Sequence, residues 1–257
     1  MKRIAYQTFD LRALSTYFCV MVFEKTIREV VEENYVYGRA LHHLGIEFFE
    51  TPDRKLKEIC AEKGLNRNKV IKSFYEFDSC HRFRFKELSD YPIELLIEYL
   101  KHSHHIFIKD KLPYIVHLVK EWKDGSGLQG LLPEFVEDFI RHIYEEEDTT
   151  FKYTQLLKEI KKGKEKAPFS KLMTFENFSL KKEYEHHQNE DELEAIRLLI
   201  PSIDESSLHG KVLVSEIKAF DREMVYHAEI ENNIFFPKAL ALESQVNNKL
   251  KNLSSLN

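Results

Sequence analysis

The chain has 257 residues, of which 43% are hydrophobic, and a formal net charge of −5. That length holds one large domain or two smaller ones with a sizeable core, and the acidic balance gives no electrostatic reason to expect nucleic acid as a partner. Three widely spaced cysteines, Cys19, Cys60 and Cys80, form no C-x-x-C pair, which fits a reducing cytoplasm and argues against a disulfide framework. Eight glycines, seven prolines and long stretches rich in Glu, Lys and Leu predict an all-α protein.

In chain order, the first apolar run, Ala13 to Phe23, contains Ser15, Thr16 and Tyr17 and ends at Glu24-Lys25. It is too short to span a membrane and lacks a small-residue cleavage site, so a buried helix in a cytoplasmic protein is expected. Residues 1–80 read as a small helical domain, broken at Phe49-Glu50-Thr51-Pro52-Asp53 and near Gly64-Leu65-Asn66. Cys80 to Asp90 is a polar connector. A helix then starts at Tyr91-Pro92 and runs toward Trp122, with Pro113 expected to kink it. Lys123 to Gly130 is a loop on composition. The next helix carries Phe135, Phe139, His142 and Glu146 at helical spacing. The basic run Lys158 to Lys166 is expected to be a solvated link. A third helix starts near Phe178 with Leu180, Tyr184 and His187 on one face, and Pro201 to Gly210 forms a loop. The fourth helix sets Leu213, Ile217, Phe220, Met224, His227, Glu231 and Ile234 on a single stripe. Residues 91–245 thus predict a four-helix, up-down bundle preceded by the small helical domain.

The chemistry sits in a repeat. His142-x-x-x-Glu146 and His227-x-x-x-Glu231 lie 85 residues apart, and on a helix each pair shares one face, one turn apart. Each follows an earlier histidine, His105 and His187, so the set reads as two helical hairpins. A carboxylate facing a bundle core is costly unless it is paired or binds a metal. Bundles build metal sites from such inward-facing side chains. Two imidazoles per ion, with Glu146 and Glu231 as bridges, leave open positions and favour iron, with manganese possible, over a closed zinc site. Periodicity leaves two neighbours open. His104 continues the stripe of Ile93, Ile97 and Leu100, whereas His105 continues into Ile108, Leu112, Val116 and Val119. His186 competes with His187, which Leu180 and Tyr184 favour. His42, His43, His81, His102, His117 and His209 have no such context and read as surface or packing residues.

At these residues the chain resembles the hemerythrin-like di-iron proteins, most closely the repair-of-iron-centres family. His227-Ala-Glu-Ile-Glu231-Asn-Asn-Ile-Phe-Phe-Pro237-Lys-Ala-Leu looks like that family's terminal motif, and His142 to Phe151 like its earlier copy, with Lys152 where relatives have proline. His105 stands seven residues before Leu112-Pro113, the family's register. Glu185-His-His187 followed by Leu193 resembles the third-ligand segment, with Asp191 where relatives have glycine, and Trp122 lies near a loop histidine of many relatives. Arg39 to Phe48 and Leu56 to Leu65 resemble the family's N-terminal domain. Where relatives carry adjacent cysteines and glycines, this chain has Phe49, Glu50, Thr51 and Pro52.

The resemblance implies two iron ions held by His105, His142, Glu146, His187, His227 and Glu231. It further implies a cytosolic role in iron-sulfur cluster repair and the response to nitric oxide or oxidative stress. An iron-sulfur protein is the implied client, and oxygen or nitric oxide the small ligand. The alternative is a module that senses or binds these gases, or stores iron, without turnover; a weaker one is a metal-free helical interaction protein. Whether the chain is an enzyme stays open at this point.

Overall fold

The computed structural model describes residues 21–78, 85–122, 126–164, 168–189, 191 and 193–254. Their regular secondary structure is helical, the single extended pairing among them being an isolated bridge between Thr26 and Lys55. The expected helix at Ala13 to Phe23 lies largely outside the described residues. Packing divides the chain into two units: residues up to 81 with 204–216, and residues 82–203 with 217 onward.

The first unit contains α1 (Ile27–Glu33), α2 (Val36–His43), α3 (Leu56–Glu62) and α4 (Arg67–Asp78). A reciprocal capping box starts α1: the Thr26 hydroxyl accepts from the Glu29 amide, and the Glu29 carboxylate accepts from the Thr26 amide. Tyr37 stacks on Phe74 with ring centroids 4.5 Å apart. The unit also takes residues 204–216, which the sequence reading assigns to the bundle. There Glu216 pairs with Arg39 at 3.5 Å, both buried, and His209 stacks on Phe49 at 4.9 Å. Gly210 is required in this segment, because a Cβ would come within 1.9 Å of the Asp204 carbonyl oxygen.

The second unit is built on three long helical runs, each passing through one π turn. The first run is α6 (Ile93–Ile106), the turn Phe107–Lys111 and α7 (Leu112–Glu121), preceded by the short α5 (Phe85–Ser89). The second is α8 (Ser126–Glu146), the turn Glu147–Phe151 and α9 (Lys152–Lys161). Between it and the third run lie α10 (Pro168–Met173), α11 (Leu180–His187) and α12 (Glu194–Leu199). The third run is α13 (Leu208–Ile230), of which the part from Ile217 belongs here, the turn Glu231–Phe235 and α14 (Phe236–Ser254). In the first and third turns the ladder slips by one residue: the Leu112 amide donates to Phe107 and the Phe236 amide to Glu231, each five residues back. Proline follows both, at Pro113 and Pro237, and has no N–H to continue the α ladder. The apolar core around the runs includes Leu96, Leu100, Phe151, Leu157, Phe235, Phe236, Ala239 and Val246.

Two expected loops are shorter than composition suggests. Helix α8 starts at Ser126, inside the stretch 123–130 expected to be loop. Leu128 and Leu132 are buried one turn apart, and the Gln129 amide donates to the carbonyls of Val119 and Trp122 at 3.0 Å each. Those contacts outweigh two glycines, whose helix cost is about 1 kcal/mol each. The basic run is helical to Lys161, because Ile160 is buried and Lys158 and Lys162 both pair with Glu94. Gly163, at φ +70°, ends that helix in the left-handed conformation that glycine alone adopts without cost.

Candidate metal centre

Each π turn lies next to a residue of the proposed set. Glu146 is the last residue before the second turn and Glu231 the first of the third, while the first turn begins three residues after His104. A π turn inserts an extra residue into the helix and re-aims the side chains beside it, which is why such turns recur at functional sites.

Beside the first turn the structure brings His104, rather than His105, to the cavity. His104 is buried and lines the cavity; His105, expected from the Leu112-Pro113 register, is exposed, about 100° further round α6. The two stripes that compete for these neighbours are both real. Ile93, Ile97, Leu100 and His104 form the buried stripe before the turn, and the additional residue of the turn lets that stripe continue into Leu112 and Ile115 without passing through His105. In α11 His187 lines the cavity and His186 is exposed.

Six side chains from α6, α8, α11, α13 and the third π turn line one cavity of about 530 Å³: His104, His142, Glu146, His187, His227 and Glu231. Four of them present ligand atoms that all lie within 4.8 Å of one another: His104, Glu146, His227 and Glu231. The Nε2 atoms of His104 and His227 are 3.0 Å apart. Glu146 Oε2 is 3.4 Å from His104 Nε2, and Glu231 Oε1 is 2.8 Å from His227 Nε2. The other oxygen of Glu231 turns the opposite way, to 3.9 Å from His187 Nδ1, and the His187 ring lies 5.3 Å from that of His142. The histidines are therefore grouped across the repeat, first with fourth and second with third, and Glu231 offers one oxygen to each group.

Burial sets the protonation of these rings. The side chains of His104 and Glu146 are each 3% exposed and that of His187 is 10% exposed. Desolvation, followed by repulsion from His227, pushes His104 down to about 3, against the opposing pull of Glu147. Desolvation, followed by repulsion from His142, pushes His187 down to about 3 as well. Both rings are thus held neutral, the form that binds a metal.

Sequence reasoning misses Glu147. Its Oε1 lies 3.0 Å from His104 Nδ1, and its Oε2 lies 3.4 Å from Lys101 Nζ. An ionised carboxylate only accepts, so Nδ1 of His104 carries the proton and Nε2 turns its lone pair toward the centre. The only signal is the run Glu145-Glu146-Glu147; the π turn that begins there brings two consecutive carboxylates to the same imidazole. At the cavity mouth Arg197 pairs with Asp221 at 2.7 Å and with Asp191, residues the spacing argument also leaves out.

No protein-family model, curated protein or solved structure matches the chain. No helix among the described residues is long and apolar enough to cross a membrane. The buried group of imidazoles and carboxylates could hold a metal ion. Of the chain's cysteines, only Cys60 is described; it is buried in the first unit, where desolvation raises its thiol.

Proposed function

We propose that the cavity holds two iron ions and that the chain is a cytoplasmic non-haem di-iron protein of the hemerythrin-like kind, built as a four-helix bundle. The observation that carries this reading is the orientation of Glu231, one oxygen toward the His104–His227 group and the other toward the His142–His187 group. Two imidazoles on each side with a carboxylate shared between them suit two ions of borderline hardness, and the absence of thiolate from the set disfavours structural zinc. His104 and His227 would hold one ion with Glu146, and His142 and His187 the other.

Bound iron would supply a redox-active Lewis acid with room for a small ligand. The chain's own residues do the rest. Glu147 fixes the tautomer of His104, burial keeps the imidazoles neutral, and Phe107, Phe139 and Ile143 line the cavity with apolar surface that admits an uncharged diatomic such as oxygen or nitric oxide.

The resemblance to the repair-of-iron-centres family supports a role in iron-sulfur cluster repair under nitric oxide or oxidative stress, with a damaged iron-sulfur protein as client. A specific observation favours the second reading, a gas-binding or iron-holding module without turnover. Phe49, in the place of the family's adjacent thiols, is stacked against His209, and Cys60 is buried with a raised thiol pKa, so neither supplies an exposed thiolate. The experiment loads full-length protein with iron, adds nitric oxide, and then offers a cluster-depleted iron-sulfur protein. A visible-region ligand band followed by iron transfer supports repair. The band without transfer supports the sensing module. Iron uptake with no response to nitric oxide or oxygen contradicts both.

A further inference from the structure

Each of the three π turns ends on a buried residue: Phe151 in the second, Phe235 in the third and Lys111 in the first. The two phenylalanines are fully buried, and their rings meet edge to face with centroids 5.2 Å apart. An apolar ring thus completes such a turn without a charge, which makes the two later turns a control for the first. Lys111 is the exception. Its Nζ reaches Glu223 Oε1 at 2.9 Å, with side-chain exposures of 8% and 17%.

A buried ion pair is a poor source of stability, because the cost of desolvating both charges rivals their attraction, and apolar residues of similar volume often do as well. What it adds over apolar packing is direction, since the contact joins two particular atoms at hydrogen-bond distance. Here the pair sits where register is contested. The first run carries two adjacent histidines, His104 and His105, just before its turn. Pro113 after the turn removes an N–H from the α ladder but does not fix how α6 is rotated against α7. A rotation of about 100° exchanges one histidine for the other. Glu223 lies one helical turn before His227 on the same face of α13, and His227 Nε2 is 3.0 Å from His104 Nε2. The end of the first turn is therefore tied to the helix whose histidine His104 meets. Neither Lys111 nor Glu223 lines the cavity, so the pair acts on it through His104.

We infer that Lys111 and Glu223 are positioning residues: their ion pair anchors the first π turn on α13 and so keeps His104, rather than His105, at the cavity. The consequence for metal binding rests on the two-ion reading proposed above. The orientation of His104 does not.

The test uses full-length protein and the double variant Lys111→Met, Glu223→Leu, which fills the same space and leaves no buried charge alone. Its Tm without metal should equal or exceed that of the wild type, which separates positioning from stability. A double variant that does not fold shows that the pair serves the fold itself, and overturns the inference. In the metal-free proteins, long-range proton–nitrogen NMR follows the His104 imidazole, whose Nδ1 faces Glu147 at 3.0 Å in the wild type. Loss of the wild-type imidazole signal in the double variant supports the inference; an unchanged signal overturns it. The second arm measures cobalt(II) affinity by competition with a chelator. Binding roughly 10–100-fold weaker in the double variant, the range found when groups that orient a ligand are removed, supports the positioning role, and equal affinity overturns it. Lys111→Arg, which keeps the pair, should match the wild type in both arms; behaviour like that of the double variant contradicts the account. A wild type that takes up no cobalt contradicts the metal reading, and the imidazole signal then decides the positioning role by itself.

Discussion

The metal-free protein should lose stability on mild acidification through two identifiable rings. His104 and His187 titrate at about 3 in the folded chain, against an ordinary value near 6.5 when unfolded. Both folded values are depressed, so between those limits the unfolded chain binds the protons and the folded chain does not. Stability is therefore full above about pH 6.5 and falls as the pH drops toward 3. Lowering the pH from 7 to 5.5 costs about 1.2 kcal/mol per histidine and about 2.5 kcal/mol for the pair. In a protein of this size that is a fall in Tm of roughly 5–10 °C. The assay is thermal unfolding at pH 7 and 5.5 for wild type, His104→Leu and His105→Leu, all stripped of metal. His104→Leu should shed about half of the wild-type acid sensitivity, and exposed His105→Leu none of it. Equal sensitivity in all three proteins, or a loss confined to His105→Leu, would refute both the burial argument and the choice of register.

Glu147→Gln should leave the fold intact but weaken metal binding by about 10–100-fold, because the amide no longer holds the His104 tautomer as a carboxylate does; competition with a chelator measures it, and Glu145→Gln serves as the control. In the first unit, Arg39→Met should cost about 3–5 kcal/mol in urea unfolding, since the buried carboxylate of Glu216 loses its guanidinium, and the double variant Arg39→Met, Glu216→Leu should recover most of that loss. Gly210→Ala should destabilise the same unit, because its Cβ would overlap the backbone of Asp204, and a Tm equal to wild type would contradict the packing of that segment.

The helical class and most of the candidate cluster are legible in the sequence because both depend on periodicity. His142, Glu146, His227 and Glu231 continue apolar stripes, so burying Phe139 or Ile234 aims them inward as well. The first histidine is not legible, for a reason that is local and physical. Heptad-like counting assumes 3.6 residues per turn, and the π turn at Phe107–Lys111 adds a residue between His104 and Leu112, so counting back from Leu112 lands one position late. Glu147 escapes for the same reason, since an ideal helix would point it 100° away from Glu146. The passage of residues 204–216 to the first unit is a matter of long-range packing, through Arg39 and Phe49, that no local pattern encodes. The helix over 126–130 reflects tertiary contacts overriding glycine content.

Metal stoichiometry tests the proposed two-ion centre, in which Glu231 would face both ions, most directly. Iron(II) titrated anaerobically into metal-free, full-length protein, with bound metal counted by elemental analysis, should saturate at about two ions per chain, as expected for two mixed nitrogen and oxygen ligand sets. His104→Ala should retain about one ion, His105→Ala both, and Glu231→Ala should lose both. A single tightly held ion in the wild type, no binding at all, or full occupancy in Glu231→Ala would contradict the account.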